Sequence, residues 1–397
     1  MGRIRMAGCL ILPPLILCGC GTLSLNSARC NFYAGRLEQA EKNIPSGNRQ
    51  DNDRVLYLME RGMIRQMTGK YEESSQDFID AADLLDELRT YSLSKGTASL
   101  VVNDNVQAFR GVPFERTLLH AFTAKNHLAQ GHWDNAAVEA RRIIYSLTQE
   151  MKGDYPEDAY SRYMAGFCLE MIDDFSNASL QYRKASELLQ DIAIDDTTGH
   201  LSLKMTNEVS AVTKDSPVSG KLSTPWRTEL ICFVLSGKSP SGSDILEYYR
   251  TVSLSVHGEI FCKGQYLGRS YPLTDTVDLA FTTDQIEAAR KAVKTVSRVA
   301  IKEGIANAVE KNDEFLGSLV RLVLIGLLEQ PDLRRWETLP RWLGVARVSC
   351  PPDLTGFDVV FKTSSGTVVQ TIHVEKPISR RRNIFVSFCR DIVQESP

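Results

Sequence analysis

No apolar run in this sequence reaches membrane-spanning length, no cysteine pair has metal-site spacing, and no catalytic signature is complete. Met6–Leu17 is broken by Pro13 and Pro14, and Phe315–Leu328 by Arg321, so both fall short of the roughly 20 residues a spanning helix needs. The nine cysteines include no CxxC and are too dispersed for a zinc ribbon or a disulfide scaffold. Most should be buried thiols, although Cys232 and Cys262, both in strand-like runs, could bridge. His120, His127 and His132 lack the i, i+4 spacing of a helical zinc site, and HExxH is absent. Gly237-Lys238-Ser239 has the tail of a phosphate loop, but Cys232 stands where its first glycine belongs. Ser92-Leu93-Ser94-Lys95 has S-x-x-K spacing without its SDN or KTG companions. A basic surplus is missing too, since the formal charge is −3, which disfavours a nucleic-acid binder. No catalytic residue, metal site or cofactor is expected, and the chain reads as a non-enzyme.

What is present is enough apolar material, 43% of 397 residues, for two or three folded domains. Arg3 and Arg5 precede the short apolar run, and Leu17-Cys18-Gly19-Cys20 ends it. That arrangement resembles the lipobox of bacterial lipoproteins, in which small Gly19 suits the peptidase and Cys20 becomes the acylated first residue. More than one acyl chain, palmitate among them, would anchor the protein stably. Losing Arg3 and Arg5 takes the formal charge from −3 to about −5. Gly21 rather than Asp follows the cysteine, so the outer membrane, facing the periplasm, is the expected location. The tether to the first repeat-like helix reads as about ten residues, a reach of roughly 35 Å.

Internal repeats organise residues 28–189. Gly62, Gly69, Tyr71, Ser74, Phe78 and Ala81 match the small and aromatic positions of a tetratricopeptide repeat (TPR), with the turn at Gly69-Lys70-Tyr71. The register recurs at Gly35, Leu37, Ala40 and Ile44; at Ala124, Gly131, Trp133 and Ala136; and at Gly166, Phe175, Ala178, Tyr182 and Ala185. Small residues let two helices approach, while the aromatic wedges against the next hairpin. The first copy is expected to have only its second helix, and the consensus Trp is absent throughout. Thr90–Val112, containing Asn103-Asp104-Asn105, reads as an insertion that interrupts the helices.

The third copy carries a dense charge pattern, Glu115 and Arg116 on one helix and Glu139, Arg141 and Arg142 on its partner. It reads either as an ion-pair cluster holding the hairpin or as a groove lined by Glu115, Arg116, Glu139 and Arg142 that receives a polar partner. Asn103-Asp104-Asn105, Pro113-Phe114-Glu115-Arg116 with Leu118-Leu119-His120, and Val138-Glu139-Ala140-Arg141-Arg142 resemble stretches of a family of uncharacterised bacterial TPR lipoproteins. Gln330–Pro340, with Asp332, Arg334 and Trp336, extends that resemblance, which implies location and architecture but no activity.

Gln190–Pro225 turns polar and reads as a linker. Glu229–Leu235 reads as a buried strand, Thr251–Cys262 as a second and Gly264–Tyr271 as an edge segment. Asp284 with Glu287 looks like the capping pair of a long helix whose outer face carries Lys291, Lys294, Arg298 and Lys302, and a buried helix is expected at Phe315–Leu328. After Pro331, Asp332, Arg334 and Trp336 would share one face, with Arg334 stacked on the indole as a structural latch or as an exposed hot spot. Ala346–Val393 alternates as a small antiparallel sheet or sandwich, with Arg380-Arg381-Arg382 in a solvated loop before the last strand.

The expected fold is α+β: a TPR-like helical solenoid, then a mixed region with long helices and a small antiparallel β-sheet or sandwich. Its parts are a signal peptide (1–19), a lipidated tether (20–27), the repeat domain (28–189), a linker (190–225), a mixed region (226–345) and a β region (346–397) packed on the preceding helices. The functional expectation is a non-enzymatic scaffold for envelope proteins in assembly, export or cell-wall synthesis, with recognition of peptidoglycan or another glycan as the alternative and a hydrolase behind both. Its expected contacts are Asn103, Asp104, Glu115, Arg116, Glu139, Arg141, Arg142, Asp332, Arg334 and Trp336 with partner proteins, and Cys20 with the membrane.

Overall fold

Small residues at fixed offsets set how closely the N-terminal helices pair. In a computed structural model, which describes residues 20–45, 51–94, 108–204, 226–239, 241–242, 244, 255–290 and 332–393, these helices form four antiparallel hairpins. They are α1 (Cys20–Tyr33) with α2 (Leu37–Asn43), α3 (Arg54–Met67) with α4 (Tyr71–Ser94), α5 (Pro113–Ala129) with α6 (Trp133–Lys152), and α7 (Ala159–Met171) with α8 (Phe175–Glu187). A Cβ at Gly62 would lie 2.4 Å from the Phe78 ring, and one at Gly166 would lie 2.9 Å from Tyr182, so each glycine is the hollow that its hairpin's aromatic fills. In the third hairpin both sides are small, with Ala124 and Ala140 fully buried. The turns need a left-handed residue, supplied by Gly35, Gly69 and Gly131 at φ 77°, 75° and 72° and in the fourth hairpin by Asp173 at φ 69°.

The first hairpin corrects two expectations. It has both helices, because Leu25, Ala28 and Phe32 recur on one face of α1 and are buried. The stretch expected as a tether, 20–27, is therefore helical from Cys20 onward. Helix α4 likewise runs on through Ser94 into the expected insertion. The stretch expected as a signal peptide, Asn103, Asp104 and the expected helix at Phe315–Leu328 lie outside the described residues.

The stretch expected as a linker contains a hairpin of β1 (Ile192–Ile194) and β2 (Leu201–Leu203). Its turn is closed by Asp195, whose carboxylate accepts from Thr197 and Thr198 and is pulled down to about 2 by those bonds. The strands that follow are β3 (Thr228–Ser236), β4 (Val256–Cys262), β5 (Gln265–Arg269), β6 (Tyr271–Asp275), β7 (Trp342–Cys350), β8 (Phe357–Thr363), β9 (Val368–Val374), β10 (Ser379–Arg381) and β11 (Ile384–Arg390). They form two sheets, ordered β10-β11-β3-β7-β6 and β5-β4-β8-β9. The first is mixed rather than antiparallel, because β11 runs parallel to β3. The expected boundary between 345 and 346 falls inside β7, and strands from both sides of it share both sheets.

Strand β3 is continuously apolar because both of its faces are covered. Leu230, Cys232 and Val234 enter the core between the sheets, while Ile231, Phe233 and Leu235 enter the core shared with the helices. Phe233 meets Tyr160 and Phe167 of α7 with ring centroids 6.0 and 5.9 Å apart. Arg347 of β7 bridges Glu170 of α7 at 2.7 Å and Glu229 of β3 at 2.8 Å. Cys232 and Cys262 are both buried free thiols in the inter-sheet core.

Two further expectations change. Residues 276–290 form a helix, α9, that starts well before Asp284, and its first turn is met by Asp275, whose carboxylate accepts from Val277 N at 2.9 Å. Lys291 and the helical face beyond it lie outside the described residues. The three arginines before the last strand are each engaged. Arg380 lies over Phe385 at 4.4 Å, Arg381 lies over Trp133 at 5.6 Å, and Arg382 pairs with Asp173 of the repeats.

Candidate functional site

Two features mark the repeats: a segment of the chain held against their helices, and an open recess between α4, α5 and α6. The segment is Asp332–Pro340. Trp336 is fully buried edge-on between Phe78 of α4 and Phe122 of α5, each ring centroid 5.7 Å away. The repeats also hold its main chain. Trp336 N donates to Glu115 Oε1 at 2.8 Å, while Glu337 N and Thr338 N donate to Glu60 at 3.1 and 3.2 Å. In the other direction Arg29 donates to Arg335 O at 2.8 Å and Tyr33 donates to Glu337 O. Arg29 is itself clamped by Glu60 at 2.6 Å and by Glu337 at 2.9 Å. Burial raises the Glu115 carboxyl above its ordinary value, which its two N–H donors, Trp336 and Val112, partly offset.

Under this segment a buried polar chain ties three helices together. Gln66 of α3 donates to Asn126 of α5 at 2.6 Å, Asn126 to Ser74 of α4 at 2.8 Å, and Ser74 to Gly62 O at 2.6 Å.

The recess lies between α4, α5 and α6 and has a volume of about 440 Å³. Arg110, Arg116, His120 and Arg142 are on its walls, with Asp83 and Asp86 on the α4 side. Glu150 is 95% buried: its Oε1 accepts from Thr117 at 2.5 Å, and its Oε2 is buried without a hydrogen-bond partner. Burial pushes the Glu150 carboxyl up to about 7 against the pull of Thr117 and Arg116. Arg110 Nε is likewise buried without a partner. At the rim, Tyr145 is 59% exposed, and Tyr155 donates to Glu287 of α9 beneath the Arg290 guanidinium.

The residues expected to form one groove are thus divided. Glu115 faces the held segment, while Arg116 and Arg142 line the recess. Glu139 is buried behind the recess, accepting from Arg142 at 2.7 Å and bonded to His120 at 2.9 Å, and Arg141 points along its own helix to Ala137 O at 3.4 Å. Asp332 and Arg334 pair at 2.7 Å, but Arg334 turns to Asp53 at 2.6 Å and lies over Phe109, not over the Trp336 indole. Sequence reading missed Arg29, Glu60, Arg110 and Glu150. Glu60 had left a trace, together with Arg61, as one of two charged residues within Leu56–Met63, whereas the others had left none.

None of the four tryptophans is exposed: Trp336 is buried, and Trp133, Trp226 and Trp342 are half-buried, so they form no open aromatic platform. Among the described residues no group of three or more His, Cys, Asp or Glu is placed to hold a metal, and no helix is long and apolar enough to cross a membrane.

No protein-family model and no curated protein matches the chain. Among solved structures it is similar to MamA, at 11% identity over 43% of this chain and 73% of that one, with a TM-score of 0.30. It is also similar to the Rap conjugation gene regulator of plasmid pLS20 in complex with the Phr* peptide, at 12% identity over 41% of each chain and a TM-score of 0.27. A tetratricopeptide repeat protein from Parabacteroides merdae matches at 15% identity over 43% of this chain and 66% of that one, with a TM-score of 0.20. At these TM-scores the likenesses carry no argument about function, and the α+β architecture with helical repeats stands on the hairpins and sheets themselves.

Proposed function

We propose that this chain is a non-enzymatic scaffold of the bacterial cell envelope, held at the periplasmic face of the outer membrane by acylated Cys20, whose repeats engage a partner protein. The observation that carries this reading is the way the solenoid grips Asp332–Pro340, by aromatic insertion and by donors and acceptors aimed at main chain. Those are the means by which a protein holds an extended peptide. This groove is filled by the chain itself, and the open recess between α4, α5 and α6 offers a partner a place among the described residues. The anchor fits the same picture: α1 starts at Cys20, so the lipid-bearing residue would open the first repeat helix itself.

Cys20→Ala tests the anchor. The variant should move from the membrane to the soluble periplasmic fraction and lose the mass of the acyl groups, and unchanged fractionation with unchanged mass would refute lipidation. Crosslinking and pull-down from envelope membranes test the scaffold, with a discrete protein partner expected. Recovery of murein alone would replace the scaffold reading by glycan binding.

A further inference from the structure

We propose that the recess between α4, α5 and α6 receives a short peptide presenting both a carboxylate and an ammonium group, the carboxylate at Arg110 and the ammonium at Glu150. This rests on the scaffold reading and names the chemistry that the recess selects. Two residues of its lining each carry a buried polar atom without a partner, a donor at Arg110 Nε and a carboxylate oxygen at Glu150 Oε2. Buried polar groups are ordinarily paired, so both point to a ligand that supplies one acceptor and one donor.

The surrounding charges decide between ligand classes. Arg110, Arg116 and Arg142 line the walls with His120, which disfavours a ligand that is only cationic. A ligand that is only anionic would satisfy Arg110 but set negative charge against Glu150 Oε2 and against Asp83 and Asp86. A zwitterion meets both needs. Arginine's planar fork suits its carboxylate, and an ammonium brings several donors to Glu150. The volume of about 440 Å³ lies toward the small end of ligand sites, roughly 300–1,000 Å³, and matches a few residues of peptide rather than a folded epitope.

The probes are Ala-Ala, N-acetyl-Ala-Ala and Ala-Ala-amide, titrated into the wild-type protein by calorimetry and by saturation-transfer NMR. Free Ala-Ala is expected to bind at least tenfold more tightly than either blocked form. Glu150→Gln should weaken Ala-Ala at least tenfold and leave N-acetyl-Ala-Ala unchanged, and Arg110→Gln should weaken Ala-Ala and N-acetyl-Ala-Ala alike. An ammonium at Glu150 should also release a proton near neutral pH, seen as a dependence of the binding heat on buffer ionisation. Equal binding of free and blocked peptides, binding of none of them, or proton uptake instead of release would each overturn the proposal, and all three can be read on wild-type protein. If the peptides fail while crosslinking still captures a protein partner, this inference falls and the scaffold reading stands.

Discussion

Truncating Trp336 asks how firmly the repeats hold their own segment. The side chain is fully buried and touches Phe78 and Phe122 edge-on. Trp336→Ala removes that area and leaves a cavity between two helices that cannot close over it, a change that costs about 3–5 kcal/mol. Trp336→Phe separates packing from polarity. The indole Nε1 is buried with no acceptor, a burden of about 1–3 kcal/mol, and phenylalanine sheds it while keeping ring contact. The Phe variant should therefore lose less than about 1.5 kcal/mol. Equilibrium urea unfolding followed by circular dichroism measures both, and limited proteolysis reports whether Asp332–Pro340 becomes cleavable in the Ala variant. A loss below about 1 kcal/mol for Trp336→Ala, with Asp332–Pro340 already cleavable in the wild-type protein, would mean that the segment is a loosely seated occupant and that the groove beneath it is open to partners.

Close helix approach predicts that Gly62→Ala, whose Cβ would meet Phe78 at 2.4 Å, costs about 1–3 kcal/mol by overpacking. Gly131→Ala meets nothing within 4 Å and should lose only about 1–2 kcal/mol, for its left-handed backbone at φ 72°; thermal or urea denaturation compares the two. Two buried groups set opposing pH trends. Burial raises Glu150 from 4.5 to about 7, so the folded state binds the extra proton and stability falls as pH rises across that window. Lys125, fully buried against the rings of Phe122 and Phe388, is lowered by burial from 10.5 to about 7, so the unfolded state binds the extra proton and stability rises from pH 7 toward 10. Each slope is at most about 1.4 kcal/mol per pH unit, and urea midpoints across pH should show Glu150→Gln flattening the acid limb and Lys125→Met the alkaline limb.

Local spacing made the hairpins legible. A small residue, a turn glycine seven positions on and an aromatic sixteen positions on describe a contact within one hairpin, as at Gly62, Gly69 and Phe78. The continuous apolar run of β3 was legible for a similar reason. Helix α1 was hidden because it starts at Cys20, inside the stretch expected as a tether, and the parallel pairing of β11 with β3 was hidden because it joins strands from opposite ends of the C-terminal half. The sites were least legible. Glu115 meets the main chain of a residue 221 positions away, and main-chain acceptance leaves no mark on the partner's sequence. Glu150 becomes distinctive only when three helices close around it. The charged pattern of α5 and α6 joined the buried Glu139 and the segment-holding Glu115 to the recess residues Arg116 and Arg142 as one groove, because sequence spacing does not separate them.

The most direct test of the scaffold account is site-specific photo-crosslinking in intact cells, with the crosslinker at Tyr145 on the rim of the recess and, for comparison, at Val369 on the exposed strand β9. The account predicts a discrete protein adduct from Tyr145 that is lost with Arg142→Glu, and none from Val369. Adducts from Val369 instead, or murein fragments alone from Tyr145, would contradict it.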